Sequence, residues 1–167
     1  CSNNCAFCCD RKNKGVNKRK PDVLSIWQTI DAIKDKITDV TISGGEPLLF
    51  MEEVDALCNL IKKNTNLKIT LISSIPFIAH LNNGLFFQIL DKVDAFAFSP
   101  QHYDETIANE MRSANDSIYN RQEFYKTLLP YNDKITVNLN IVKPYLCTKD
   151  EILKCIKHYN DMGFKHI

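Results

Sequence analysis

Two patterns of apolar residues take turns along this chain of 167 residues. In the first, short runs rich in β-branched residues alternate with polar positions, as β-strands do. These runs cover residues 39–43, 67–74, 93–99 and 134–142, and another begins at residue 165. In the second, apolar residues recur every three or four positions, which is typical of amphipathic helices. This spacing predicts helices over residues 23–36, 50–64, 76–92 and 117–129, and from a capping sequence at 148–151 to residue 162.

Turn and cap signals refine these boundaries. The sequence Asn82-Asn83-Gly84 predicts an interruption within helix 76–92, and Gly163 ends the last helix. Residues 100–116 are polar and are predicted to form a long connection. One face of helix 50–64 is apolar and is predicted to be buried. Its members are Val54, Leu57, Cys58 and Ile61.

Strands that alternate with helices indicate βαβ units and a parallel sheet, so the predicted fold class is α/β. Right-handed crossovers leave two arrangements open, a doubly wound sheet and a barrel. The chain has no internal repeat, no low-complexity segment and no linker composition. We therefore expect one domain over residues 1–167.

Composition and charge exclude several function classes. The chain is 44% hydrophobic and 25% charged with a net charge of +1, so no overall field attracts nucleic acid or membrane. No apolar run approaches the roughly 18–20 residues that span a bilayer, and we expect no secretory signal. Residues 11–20 contain six Lys or Arg without interleaved aromatic residues, which is typical of a solvated loop. We expect a cytoplasmic protein.

Four of the seven cysteines lie in the first nine residues. An odd count with one tight cluster indicates a metal site in a reducing compartment rather than a disulfide framework. The spacing of Cys1, Cys5 and Cys8 lets one loop surround a single metal centre. Three thiolates suit three irons of a cubane cluster, whereas structural zinc takes four protein ligands. Cys9 is the only nearby fourth thiol, and adjacent side chains in an extended loop point apart.

A second motif follows the first predicted strand. Gly44 and Gly45 allow a sharp turn and a close approach of the backbone to a ligand, and Pro47 suits the first turn of the next helix. Glu46 then presents a carboxylate at the carboxyl end of the sheet, where α/β active sites gather.

The Cys-x3-Cys-x2-Cys spacing, with Phe7 before the last cysteine, resembles the radical S-adenosylmethionine (SAM) superfamily. The Gly44-Gly45-Glu46 motif one helix later resembles the part of that family that binds the ammonium group of SAM. The resemblance implies a [4Fe–4S] cluster on Cys1, Cys5 and Cys8, whose open iron binds SAM. Reductive cleavage of SAM would give a 5′-deoxyadenosyl radical that abstracts hydrogen from a substrate. The alternative from a different class is a non-enzymatic iron–sulfur or zinc module.

Weaker resemblances concern later residues. Ser99 and Arg112 match positions that touch the ribose and carboxylate of SAM in related enzymes, although Ser99 could instead form a turn and Arg112 could be a surface cation. Asn138 and Asn140 share a strand face and could contact the adenosyl group or substrate, or satisfy buried backbone. His102 could donate a proton, contact the substrate or hold a loop.

The third strand ends in Ile72-Ser73-Ser74, where the family often has Thr-Asn-Gly, so no ligand contact is assigned to that loop. The family resemblance implies a partial (β/α)6 barrel with outer helices, its first strand missing and its sixth truncated, as in a core cropped from a longer protein. It also implies an external electron donor of the flavodoxin or ferredoxin type.

The substrate class remains open in the sequence. Residues 99–112 and the strand 134–142 are faintly similar to enzymes related to the GTP-cyclising enzyme of molybdenum-cofactor synthesis. Peptide-modifying members share much of the same pattern. A small molecule and a peptide are therefore both candidate substrates, and nucleic acid is disfavoured.

Overall fold

The computed structural model describes residues 5, 7 and 8, residues 20–112 and residues 120–167. Cys1, Cys9, most of the basic run 11–20 and the start of predicted helix 117–129 lie outside the described residues. The chain divides into two compact units, Gly15–Phe96 and a unit that joins Cys1–Lys14 to Ala97–Ile167. The single domain over residues 1–167 stays a prediction.

The unit Gly15–Phe96 alternates helices with strands. Its helices are α1 (Val23–Ile33), α2 (Met51–Asn64), α3 (Phe77–Leu81) and α4 (Asn83–Lys92). Its strands are β1 (Asp39–Ile42), β2 (Lys68–Ser73) and the start of β3 (Ala95–Phe98). Short 3-10 turns at Lys34–Lys36 and Pro47–Phe50 follow α1 and precede α2.

Local signals set the ends of these helices. The Oδ1 atom of Asp22 accepts a hydrogen bond from the backbone N–H of Ser25 at 3.2 Å, which caps the start of α1. The predicted helix 76–92 is interrupted at Asn82, whose backbone leaves the helical region (φ −114°, ψ 53°), so the predicted interruption is confirmed. The predicted face of α2 is buried. Its members are Val54, Leu57, Cys58 and Ile61.

The strands β1 and β2 are parallel neighbours, with Asp39 opposite Lys68. Asp94, which precedes β3, bonds to β2 in two ways. Its N–H donates to the Ile69 carbonyl at 2.8 Å, and its carboxylate accepts from the Ile69 N–H at 2.7 Å. Lys62 on α2 donates to the same carboxylate at 2.6 Å. Asp94 therefore helps to fix the register of the chain beside β2.

The unit that contains Ala97–Ile167 carries the end of β3 and, among its described residues, three α-helices and one further strand. They are α5 (Glu105–Arg112), α6 (Arg121–Lys126), β4 (Ile135–Val137) and α7 (Lys149–Met162). Thr148 accepts from the N–H of Glu151 at 3.3 Å, as the predicted capping sequence requires, and Gly163 ends α7 with a φ of +112°. Its core is aromatic, with Phe98 packed against Tyr125 and Phe164.

The four strands form a parallel sheet in the order β1-β2-β3-β4, with helices between consecutive strands. The predicted α/β class is confirmed, and the arrangement agrees with part of a barrel of the (β/α) type. None of the helices in the described part of the chain is long and apolar enough to cross a membrane.

The predicted strand 134–142 is wrong in length, because β4 covers only Ile135–Val137. After β4 the chain turns back on itself, and Val142 and Leu146 exchange two backbone hydrogen bonds at 2.9 and 2.8 Å. The strand β4 ends before this bridge, at Val137. Both Asn138 and Asn140 therefore follow the strand instead of lying on it.

The predicted polar connection 100–116 is also wrong, because it contains helix α5. Asp104 caps this helix through hydrogen bonds from the N–H groups of Thr106 and Ile107 at 2.8 and 3.3 Å. The buried face of α5 includes a charged side chain, so apolar spacing alone does not reveal it. Its members are Ala108, Met111 and Arg112.

Two further boundaries differ from the prediction. The helix predicted to reach residue 129 ends with α6 at Lys126, and a 3-10 turn covers Leu129–Lys134. Residues 165–167 are not a strand in the structure. The His166 carbonyl nevertheless accepts from the Val137 N–H at 2.9 Å, as a neighbouring strand would.

Candidate functional site

The described part of the cysteine loop forms a tight turn. The N–H of Cys8 donates to the carbonyl of Cys5 at 3.2 Å, which is the hydrogen bond of a tight turn. Cys5 is buried, Cys8 and Phe7 are half-buried, and both cysteines are thiols rather than disulfides. The turn therefore keeps two predicted ligands within one short loop.

The donor set suits an iron–sulfur cluster, because thiolates are the usual ligands of such clusters. The close spacing of Cys5 and Cys8 on one turn fits two ligands of one centre. Cys1, the predicted third ligand, lies outside the described residues. Among the described residues, no group of three or more His, Cys, Asp or Glu side chains is placed to hold a metal ion.

The Gly44-Gly45-Glu46 turn follows β1 directly. Gly44 has a φ of +132°, a backbone conformation that residues other than glycine rarely adopt. A Cβ atom built on Gly44 would meet no atom within 4 Å, so backbone conformation and not crowding requires glycine there. Glu46 is extended (φ −164°) and caps the 3-10 turn Pro47–Phe50 by accepting from the Leu48 N–H at 3.2 Å.

The carboxylate of Glu46 is buried and each of its oxygens accepts two hydrogen bonds. Oε1 accepts from the Ser73 hydroxyl at 2.6 Å and from the Leu48 N–H. Oε2 accepts from the N–H and the hydroxyl of Ser74, at 2.8 and 2.5 Å. The carboxylate therefore lies where β1 and β2 both end, at the edge of the sheet that the sequence predicted for it.

Sequence reasoning missed Ser73 and Ser74. A signal was available, because Ser73 continues the inward-facing positions Ile69 and Leu71 of β2. A polar residue at an inward-facing strand end needs a hydrogen-bond partner. Glu46 is that partner.

The segment after β3 gathers other predicted residues. Gln101 is buried with a φ of +76°, and its amide nitrogen donates to the Ser99 carbonyl at 3.4 Å. The amide nitrogen of Asn140 donates to Oε1 of Gln101 at 3.0 Å. The N–H of Asn138 donates to the Phe98 carbonyl at 2.8 Å. Ser99, Asn138 and Asn140 thus lie where β3 and β4 end, and Gln101 links two of them.

Arg112 is 1% exposed, which excludes the alternative of a surface cation. Its Nη2 atom donates to the Pro100 carbonyl and its Nη1 atom donates to Asn109 at 3.2 Å. The Glu105 carboxylate lies 3.7 Å from Nη1 and is at the same distance from Arg121. Arg112 therefore holds the segment that follows β3, and a contact with SAM stays a prediction.

His102 is fully buried, and its surroundings support a structural role. Nδ1 accepts from the Asp104 N–H at 3.0 Å, and Nε2 lies 3.5 Å from a carboxylate oxygen of Glu151. The Tyr159 hydroxyl donates to the His102 carbonyl at 3.1 Å. Burial raises the pKa of Tyr159, which keeps this phenol protonated and able to donate.

The candidate residues are divided between the two units. Glu46, Gly44 and Gly45 belong to Gly15–Phe96, together with the two serines. The other candidates belong to the second unit: Cys1, Cys5, Phe7, Cys8, Ser99, Arg112, Asn138 and Asn140.

A comparison with known protein families finds a match that extends over the whole chain. The family model described as the radical SAM superfamily matches residues 1–167. No curated protein matches the chain.

Proposed function

Because the chain belongs to the radical SAM superfamily, we propose that it is an enzyme that generates a radical from SAM to act on an unidentified substrate. Membership in the family implies SAM-dependent radical chemistry with an iron–sulfur cluster. The family match over residues 1–167 carries this proposal, and the Cys5–Cys8 turn supports it. A [4Fe–4S] cluster, when bound, would supply the electron that cleaves SAM into methionine and a 5′-deoxyadenosyl radical.

The thiolates of Cys1, Cys5 and Cys8 would hold three irons of the cluster. Three thiolates leave one iron without a protein ligand, which is where SAM would bind. The half-buried ring of Phe7 lies in the same turn and would shield the cluster from water. Cys58 does not compete for iron in this proposal. Burial raises the pKa of its thiol to about 11, so it stays protonated.

Glu46 would attract the ammonium group of SAM. Its carboxylate is held by neutral donors, so the described partners leave its negative charge uncompensated. The turn at Gly44 and Gly45 would let the backbone approach the same ligand. As the family resemblance implies, other parts of SAM or the substrate would contact Ser99, Arg112, Asn138 and Asn140.

The enzyme would also need a substrate and a reductant. We propose a small molecule or a peptide as the substrate and a protein of the flavodoxin or ferredoxin type as the electron donor. A cytoplasmic location is part of the same proposal, because a reducing compartment keeps the ligand cysteines as thiols.

The decisive experiment is anaerobic reconstitution of the full-length protein with iron and sulfide, followed by reduction in the presence of SAM. We expect release of methionine and 5′-deoxyadenosine in equal amounts. Cys5→Ala should abolish cluster assembly and cleavage, whereas the matched variant Cys9→Ala should retain both. An intact, reducible cluster that does not cleave SAM would refute the proposal. Loss of the metal in Cys9→Ala would instead indicate a four-thiolate electron-transfer or zinc module.

A further inference from the structure

We propose that Ser73 and Ser74 are positioning residues that hold Glu46 ready for a cationic ligand, and this inference rests on the proposed function. Two of the four donors to Glu46 are backbone N–H groups, whose directions the chain fixes. The other two are the serine hydroxyls, one on each carboxylate oxygen. Without the hydroxyls, each oxygen would keep a single donor. The carboxylate would then be able to rotate about its last side-chain bond.

The described donors to Glu46 are all electrically neutral. A carboxylate that pairs with Lys or Arg gives up much of its attraction for another cation. Hydrogen bonds from hydroxyl and amide groups orient the carboxylate and leave its net charge in place. Only 5% of Glu46 is exposed, so a cation that reaches it is partly removed from water and feels the charge strongly. Orientation by neutral donors therefore prepares an anionic site without filling it.

The backbone directly after the two serines has an unusual conformation. Ile75 is fully buried and has a φ of +52°, which is unfavourable for a β-branched residue. Such a conformation persists only where surrounding contacts determine it. Here the Ile75 N–H donates to the Ser73 hydroxyl oxygen at 2.8 Å, and that hydroxyl donates onward to Glu46. The strained turn and the carboxylate are thus joined through Ser73.

The test compares SAM binding in the reconstituted protein with and without each hydroxyl. Ser73→Ala and Ser74→Ala should each raise the Kd for SAM about five- to tenfold. This is less than the full value of a hydrogen bond to a charged group, because each hydroxyl orients Glu46 and does not itself bind SAM. The Kd is read from the change that SAM causes in the electron paramagnetic resonance spectrum of the reduced cluster. In the cleavage reaction, the KM for SAM should rise while kcat stays within about twofold, because the lost contact serves binding.

Two variants separate positioning from general stability. Ser74→Thr keeps the hydroxyl at a half-buried position and should restore the Kd. Thr65→Val removes a hydroxyl at the other end of β2, where Thr65 bonds to Ile61 and Leu67, and should leave the Kd unchanged. If Ser73→Ala does not fold, the pair Ser74→Ala and Ser74→Thr decides the question. Faster amide hydrogen exchange at Ile75 in Ser73→Ala gives a readout independent of the cluster.

Glu46→Gln separates failure of this inference from failure of the proposed function. If Glu46→Gln weakens SAM binding and both serine variants bind like the unmodified protein, the serines do not position Glu46. If Glu46→Gln also leaves the Kd unchanged, the role proposed for Glu46 is wrong. An effect of Thr65→Val as large as that of Ser74→Ala would likewise overturn the inference.

Discussion

The Glu46 carboxylate and the Arg112 guanidinium are both buried beside a segment that follows a strand, yet their partners differ in kind. Within the described residues, the groups that donate hydrogen bonds to Glu46 are neutral hydroxyl and N–H groups. Arg112 donates to a carbonyl and an amide and also faces the carboxylate of Glu105 at 3.7 Å. Removing one partner of a buried charge pair destabilises a fold, because the other charge is left uncompensated. A buried charge held by neutral groups remains available to a ligand. We therefore expect substitution of Arg112 to weaken folding and substitution of Glu46 to weaken ligand binding.

The largest expected effect is on folding, from Arg112→Met. This variant leaves the Pro100 carbonyl without its charged donor and leaves Asn109 with Arg121 as its donor. It also removes one of the two cations beside Glu105. We expect the free energy of unfolding, measured in urea, to fall by about 3 kcal/mol.

A matched control for Arg112→Met is Lys157→Met, which removes an exposed cation paired with Asp161. It should change the free energy of unfolding by less than about 0.5 kcal/mol. Equal losses in the two variants would show that the buried network around Arg112 does not stabilise the unit.

The second prediction is that Glu46→Gln affects SAM binding more than folding. Glu46→Gln places an amide NH2 group against donors, so we expect a loss of about 1–2 kcal/mol in unfolding free energy. The Kd for SAM should nevertheless rise by about tenfold or more, because the negative charge is removed. Urea unfolding and SAM titration on the same samples give both numbers.

Glu52→Gln is the control for this variant, since Glu52 is an exposed carboxylate of the same unit. It should affect neither measurement. The comparison fails if Glu46→Gln costs as much folding free energy as Arg112→Met while SAM binding is unchanged.

A third effect concerns the turn that carries Glu46. Gly44→Ala forces a side chain into a φ near +132°, and we expect a loss of about 1–3 kcal/mol in unfolding free energy. Gly84→Ala is the matched control, because Gly84 lies in helix α4 with open space around it. It should stabilise the chain by about 0.5–1 kcal/mol. Thermal melting measures the stability of both variants. If Gly44→Ala is as stable as the unmodified protein, the turn does not require glycine.

The smallest effect is a difference between the units at alkaline pH. Burial raises the pKa of Cys58 from 9.0 to about 11, and burial raises the pKa of Tyr125 from 10.0 to about 12. A group whose pKa is raised by folding stabilises the fold fully below its unfolded pKa, and this contribution is lost as the pH rises toward the folded value. The unit with Cys58 should therefore lose on the order of 1–2 kcal/mol between about pH 9 and 11, before Tyr125 has its full effect.

Trp27, the only tryptophan of the chain, reports on the unit with Cys58. Its fluorescence during urea unfolding at pH 8 and pH 10.5 measures the loss. Cys58→Val cannot ionise and should remove most of the pH dependence. An unchanged pH dependence in this variant would assign the effect to other groups.

The sequence predicts the parts of the fold that local chemistry controls. Apolar periodicity located α2 and four of its five buried residues, and the Thr148 cap and Gly163 located α7. The alternation of strands and helices predicted the parallel sheet. In each case the determining interactions lie within one element or between consecutive elements, where sequence spacing describes them.

Residues that depend on distant partners were predicted less well. Helix α5 buries Arg112, whose described partners are the carbonyl of Pro100, the side-chain oxygen of Asn109 and the carboxylate of Glu105. The inward-facing Ser73 depends on Glu46, which is 27 positions earlier in the chain. Cys1 and its role as a ligand stay predictions, since Cys1 lies outside the described residues.

Two buried residues with positive φ values should restrict how much sequence variation the chain tolerates. Ile75 and Gln101 have positive φ values of 52° and 76°, and both are buried just after strands. Glycine would relieve the backbone at either position, but it would leave a cavity at Ile75 and remove the Asn140 contact at Gln101. In a saturation-mutagenesis library, both positions should therefore accept few residues under selection for expression alone. Such a map would mark the ends of β2 and β3 as places where backbone conformation and burial together restrict which residues evolution can use.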